Sequence, residues 1–185
     1  MSKLLSVGQI ERAFATEAAL TVAKEYKAVP TTWLGRVKTE LVPWLNCEET
    51  IAEWDFLNDA SVSLFLHHAA ELEGIPPANR IGHSRWPHLP DYLETYWLPI
   101  DFPIVRVFKG SDGWPIAIAS APALLRDLDA VEAASPLALR QKPAPPAPNS
   151  GTALSPEDAL RWIWCCLHEA ASDALANNAP LAVFS

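Results

Sequence analysis

The stretch IVRVFKGSDGWPIAIA, residues 104–119, decides the reading of the fold, because a helical rhythm breaks there. Residues 104–108 and 116–119 are rich in Ile, Val and Phe and flank Gly110, Ser111, Asp112 and Gly113. Such runs around a glycine-bounded turn predict an antiparallel hairpin. Pro115 has no N–H to give a neighbouring strand, so the second strand lies at an edge or begins with that residue.

Upstream of the hairpin, apolar residues recur every three or four positions, the spacing of one helix face. Ser6 and Gln9 form a capping box ahead of Val7, Ile10, Phe14, Ala18, Val22 and Tyr26. Thr32 caps a shorter helix carrying Trp33, Leu34, Val37 and Leu41, which Pro43 ends. Asn46 with Glu49 opens another, bearing Ile51 and Trp54. Asp59 caps a helix with Val62, Phe65, Leu66, Ala69 and Leu72 inward, and Gly74 followed by Ile75 predicts a Schellman ending. Residues 76–90 hold four prolines and no periodicity, which reads as a stiff extended loop before a short helix at 92–97.

Downstream, Pro122 suits the first turn of a helix with Leu124, Leu125, Leu128 and Val131 inward. Residues 142–151 contain four prolines and no large apolar side chain. They predict a polyproline-like tether reaching roughly 30 Å. Ser155, Pro156, Glu157 and Asp158 then give an N-cap, a Pro at N1 and two acids at the positive end of a helix dipole. Leu160, Ile163, Trp164, Leu167, Ala171 and Leu175 form its inner face, widened by Trp162, Cys165 and Cys166. The expected fold is mainly α (α+β): a helical body of five to six helices with one small antiparallel β-hairpin. Its expected organisation is a body at 1–141 with the hairpin near 104–119, a Pro-rich tether at 142–155, and a C-terminal helix and tail at 156–185 packing back on the body.

The chain has 185 residues, half of them hydrophobic, which suits one domain with a sizeable core. Fourteen Lys and Arg against 22 Asp and Glu leave a net charge of -8, which argues against binding nucleic acid, since phosphates need a basic surface. No apolar run approaches the ~20 residues that span a bilayer, and no export signal is visible, so a cytoplasmic protein without a membrane role is expected. Three cysteines, Cys47, Cys165 and Cys166, are an odd, sparse set that suits a reducing compartment.

Motifs for catalysis are few. Seven glycines form no phosphate loop or dinucleotide fingerprint, and no cofactor is expected. His168 and Glu169 begin a zinc-protease pattern that Ser172 breaks, and Ser120 lacks the glycines of a nucleophile elbow. His67, His68 and Glu71 share a helix, but zinc requires three or four converging ligands and no metal is expected. Arg80, His83, Arg85, Trp86 and His88 lie on one loop without an acid and form an alternative anion or small-enzyme site.

The strongest signal is where the acidity lies. Lys38 and Arg80 bracket an interval without another Lys or Arg, while Glu40, Glu48, Glu49, Glu53, Asp55, Asp59, Glu71 and Glu73 fall inside it. Those eight acids equal the whole net charge. Glu48, Glu49, Glu53, Asp55 and Asp59, together with Trp44 and Trp54, resemble aromatic anchors within a steering field. The expectation is a non-enzymatic binding protein whose acidic helical surface, residues 40–73, engages a basic partner protein. Size and charge suggest an inhibitor of the bacterial immunity type that neutralises a toxin, or an adaptor or chaperone of a secreted effector.

Overall fold

Residues 94–98, ETYWL, carry Thr, Tyr and Trp in succession, a composition that fits a strand covered on both faces. In a computed structural model of the chain they form the centre of a six-stranded mixed sheet. The structure describes residues 2–8, 10, 13–26, 28, 51–76, 84–89, 94–109, 113–144 and 154–184. In chain order the elements are β1 (Ser2–Val7), α1 (Ala13–Glu25), β2 (Ala52–Asn58), α2 (Asp59–Glu73), β3 (Glu94–Leu98), β4 (Arg106–Lys109), β5 (Pro115–Ser120), α3 (Ala121–Ala134), α4 (Pro156–Ala176) and β6 (Leu181–Phe184).

The strand order is β2-β1-β6-β3-β5-β4. The β3–β5 pair is parallel and every other pair antiparallel. The register aligns Val7, Leu181, Trp97 and Ala119 in one row across the sheet. That row belongs to the larger apolar cluster, which α2, α3 and α4 cover. Alternate residues, Tyr96, Leu98, Ile116, Ile118 and Ala182, face the other way and meet Ala15, Ala18, Ala19, Val22 and Ala23 of α1. The result is a three-layer α/β/α arrangement. Each fully buried large apolar side chain contributes roughly 1.5–3 kcal/mol.

The helical body of five to six helices with a single hairpin is therefore overturned. The described residues hold four helices and six strands. Val7, placed by its spacing on the first helix, belongs to β1, and that helix starts at Ala13. Residues expected to carry Ile51 and Trp54 on a short helix enter β2, where Glu53, Trp54, Asp55 and Phe56 alternate polar and apolar with the period of a strand. The helix expected at 92–97 is replaced by β3 from Glu94 onward. The hairpin exists as β4 and β5, but β5 also pairs with β3, so the hairpin is one edge of the larger sheet. Pro115 is its first residue, where a missing N–H breaks no ladder.

Local chemistry explains the helix ends. Ser120 Oγ accepts from Ala123 N at 3.1 Å and starts α3, and Ser155 Oγ accepts from Asp158 N at 3.1 Å and starts α4. At the end of α2, Ile75 N donates to Ala70 O and Gly74 N to Glu71 O, both at 3.0 Å, with Gly74 at φ 71°. That is the Schellman pattern, and glycine tolerates its left-handed φ. The expected helix near 32–43 lies outside the described residues, as does most of the tether.

Candidate functional site

Among the described residues, the middle of the acid-rich interval forms one edge of this sheet. β2 is an edge strand, with Glu53 opposite Ser6 and Asp55 opposite Leu4 in the β1 register. Trp54 lies opposite Leu5, and Asp59 opens α2 directly after the strand. The strand β2 thus replaces the short helix expected to carry Ile51 and Trp54, while the helix expected from Asp59 is present as α2. Trp44, Glu48 and Glu49 lie outside the described residues.

At its far end α2 carries Glu71 and Glu73 in the last turn, with no base beside them. Carboxylates at a helix C-terminus oppose the dipole, so helix stability does not account for both. Glu73 has a structural role. Its Oε1 accepts from Ser84 Oγ at 2.8 Å, Arg85 N at 2.8 Å and Trp86 N at 3.2 Å, tying the following loop to α2. Glu71 is exposed.

Elsewhere on the described surface, several acids and bases pair with each other. Arg106 pairs with Glu25 and Arg126 with Asp101, while Arg140 lies on Asp129 and Glu132. Lys142 pairs with Glu169, and Arg161 with Glu157 and Asp158. Hydrogen bonds from Arg126 hold the Asp101 carboxyl below its ordinary range. Such exposed pairs contribute only about 0–1 kcal/mol each, but they cancel charge locally. Of the interval's acids, Glu71 and Glu73 take no part in these ion pairs.

The Arg/His/Trp loop does not gather its described members around one ligand. Arg80 and His83 lie outside the described residues. Arg85 is exposed, its guanidinium 6.0 Å from the Trp86 ring centroid, whereas Trp86 is buried. His88 is turned into the core, 2% exposed. Its backbone N–H donates to Asp127 Oδ2 at 2.8 Å, and its ring Nδ1 accepts from Ser120 N at 3.0 Å. An accepting Nδ1 makes the ring neutral with its proton on Nε2, a poor partner for an anion. His67 and His68 also diverge, the first meeting Ser63 O at 2.7 Å and the second Ser135 Oγ at 3.0 Å.

Burial pushes the His88 pKa below the ordinary 6.5; the Pro103 carbonyl and Asp101 oppose the shift, and Arg126 adds to it. A base with a lowered folded pKa contributes stability that is full above its unfolded pKa and is lost as pH falls through the folded value. Urea unfolding is therefore expected to show lower stability at about pH 5.5 than at about pH 7.5. In His88→Asn, whose side-chain oxygen replaces Nδ1 as acceptor without titrating, that difference shrinks. It does not vanish, because burial also lowers the His68 pKa, against the pull of Glu71. An unchanged pH dependence in the variant would contradict this assignment.

Two features escaped the sequence reading. The alternation of Glu53, Trp54, Asp55 and Phe56 marked a strand within the acidic interval. The role of Glu73 had no local signal, since its ligands follow by 11 to 13 residues.

An acid-rich interval without Lys or Arg of its own, joined to an α/β/α scaffold that carries its own ion pairs, suits an acidic binding protein. Residues 88–183 match the family described as "Putative DNA-mimic protein", and the chain belongs to that family. No curated protein and no solved structure matches it. The match spans β3 to β6 and contains eleven acids against six bases, while the interval at 40–73 precedes it. This membership corrects the expectation of a partner defined by basic charge alone with nucleic acid playing no part. The immunity-type, toxin-neutralising reading finds no support in the family. No helix among the described residues is long and apolar enough to cross a membrane.

Proposed function

We propose that the chain is a DNA mimic: carboxylates of the 40–73 interval occupy the DNA site of a DNA-binding protein and exclude the duplex. The observation that carries this reading is the segregation of charge, eight acids without one base between Lys38 and Arg80. Alternate residues of an extended strand lie about 6.7 Å apart, so Glu53 and Asp55 on the β2 edge are two spaced negative charges. That strand is an edge, with no further strand outside it among the described residues. Such a protein acts where DNA is handled, which suits the cytoplasm.

The reading separates from general polyanion behaviour by its response to salt. DNA releases condensed counterions when phosphates are neutralised, so its affinity falls steeply as salt rises. Carboxylates on a folded surface have a lower charge density and release fewer ions. The mimic should therefore compete better against a duplex at ~200 mM than at ~50 mM salt. Proteins of the native cell retained on immobilised duplex DNA are eluted with the purified chain, and with polyglutamate of equal total charge. The chain is expected to elute a DNA-binding protein that polyglutamate leaves behind. If polyglutamate elutes the same set, or the eluted protein binds chain and duplex together, the reading fails.

A further inference from the structure

Three of the four large apolar residues most exposed among the described ones lie at the edge opposite the acids: Ile104 at 58%, Val107 at 54% and Trp114 at 72%. Ile104 precedes β4, Val107 is within it, and Trp114 stands next to Pro115, which pairs with Lys109. Among the described residues no strand pairs with the outer side of β4. Exposed edges are usually shielded by charge; on β4 Arg106 is drawn to Glu25 at 3.3 Å, so that shield falls to Lys109 at the end of the strand.

We propose that β4 pairs antiparallel with β4 of a second copy across a two-fold axis centred on Val107. Side chains directly opposite in an antiparallel pair share a face. This register sets Val107 against Val107 of the second copy, Arg106 against Phe108 and Val105 against Lys109. Val105 packs with the α2–α4 side of the sheet and Phe108 with the α1 side, so the faces agree. Every cation meets an apolar residue, and no like charges are opposed.

Charge also selects this edge. Two chains of net charge -8 repel, and β2, which carries Glu53 and Asp55, is the opposite edge of the sheet. Five strand spacings of ~4.8 Å separate β2 from β4, about three Debye lengths at physiological salt. Association through β4 thus escapes most of the repulsion that association through β2 would meet. Pairing β4 with the acidic β2 of another copy satisfies charge too, but it is heterologous and propagates into open chains. The two-fold pair closes in one step. It leaves both acidic edges free, roughly 50 Å apart. The contact is small beside the ~1,200–2,000 Å² of stable complexes, so the dimer is expected to depend on concentration.

The test uses the full chain carrying Cys47→Ser, in which the remaining thiols of Cys165 and Cys166 are buried. Val107→Cys is expected to give a disulfide-linked dimer on mild oxidation, since opposed Cβ atoms lie ~4.5–5.5 Å apart, near disulfide reach. Ile104→Cys, three residues from the axis, is expected not to cross-link. Sedimentation of the unmodified chain should show monomer and dimer only, and Val107→Lys should weaken the dimer at least about tenfold. A chain that stays monomeric to about 1 mM overturns the proposal. So does equal cross-linking through both cysteines, or a series of ever larger species.

Discussion

Trp97→Ala is expected to lower the unfolding free energy by about 3–5 kcal/mol, a third or more of what holds an ordinary domain folded. Trp97 is fully buried in β3, between β5 and β6, beneath the three-helix layer. Its indole Nε1 donates to the His88 carbonyl at 2.7 Å. Truncation leaves both a cavity in the larger cluster and an unpaired buried carbonyl, and the two costs add. Trp97→Phe retains most of the packing and removes only the donor, so about 1–2 kcal/mol is expected for it. Trp114→Ala, at a residue 72% exposed, should change stability by less than about 0.5 kcal/mol in dilute solution. Urea denaturation of the three variants measures the ranking. Similar losses at Trp97 and Trp114 would mean that the core is not organised around β3.

That ranking is hard to read from composition, which presents eight tryptophans as equals. The readable parts of the fold are those governed by neighbours in sequence. Ser120 and Ser155 cap helices through residues three positions on, and Gly74 ends α2 through carbonyls three to five positions back. The strands answer to distant partners. Leu4 pairs with Phe184 and Trp97 with Leu181, so a run such as LAVF becomes a sheet strand only when both ends of the chain meet. β3 shows no alternation because both of its faces are covered, and an amphipathic test is blind to such a strand. β2 did alternate, but over few residues, and a capping pattern at Asn46 and Glu49 competed with it.

The site divides along the same line. The acidic interval is a property of the sequence itself, and its bounds at Lys38 and Arg80 needed no coordinates. The engagement of Glu73 did need them. Glu73 is engaged by the loop at 84–86, while Glu53 and Asp55 lie on an edge strand. Of the loop offered as an anion site, His88 is turned into the core for a similar reason. Nothing near His88 in sequence announces that its ring will close a bond to Ser120, 32 residues away.

Glu49→Lys combined with Glu53→Lys is expected to weaken binding to the DNA-binding partner about 100-fold. Each reversal removes an attraction at a site shaped for phosphates and adds a repulsion, worth roughly tenfold apiece. The decisive comparison is a second double variant, Glu17→Lys with Asp173→Lys, which changes net charge by the same amount. Both of those acids are exposed on helices outside the interval, on α1 and α4. At physiological salt, charges beyond ~8 Å from the contact are largely screened, so this control should lose less than about threefold. Affinity measured across a salt series adds an independent readout. The interval variant should lose most of its salt dependence, whereas the control should keep the original slope, because the slope reports charges at the contact. Equal losses in the two variants would assign binding to total charge and remove the interval from the site. A loss confined to Glu49 and Glu53 would place the mimicking surface ahead of the segment that defines the family, with the 88–183 scaffold holding it in position.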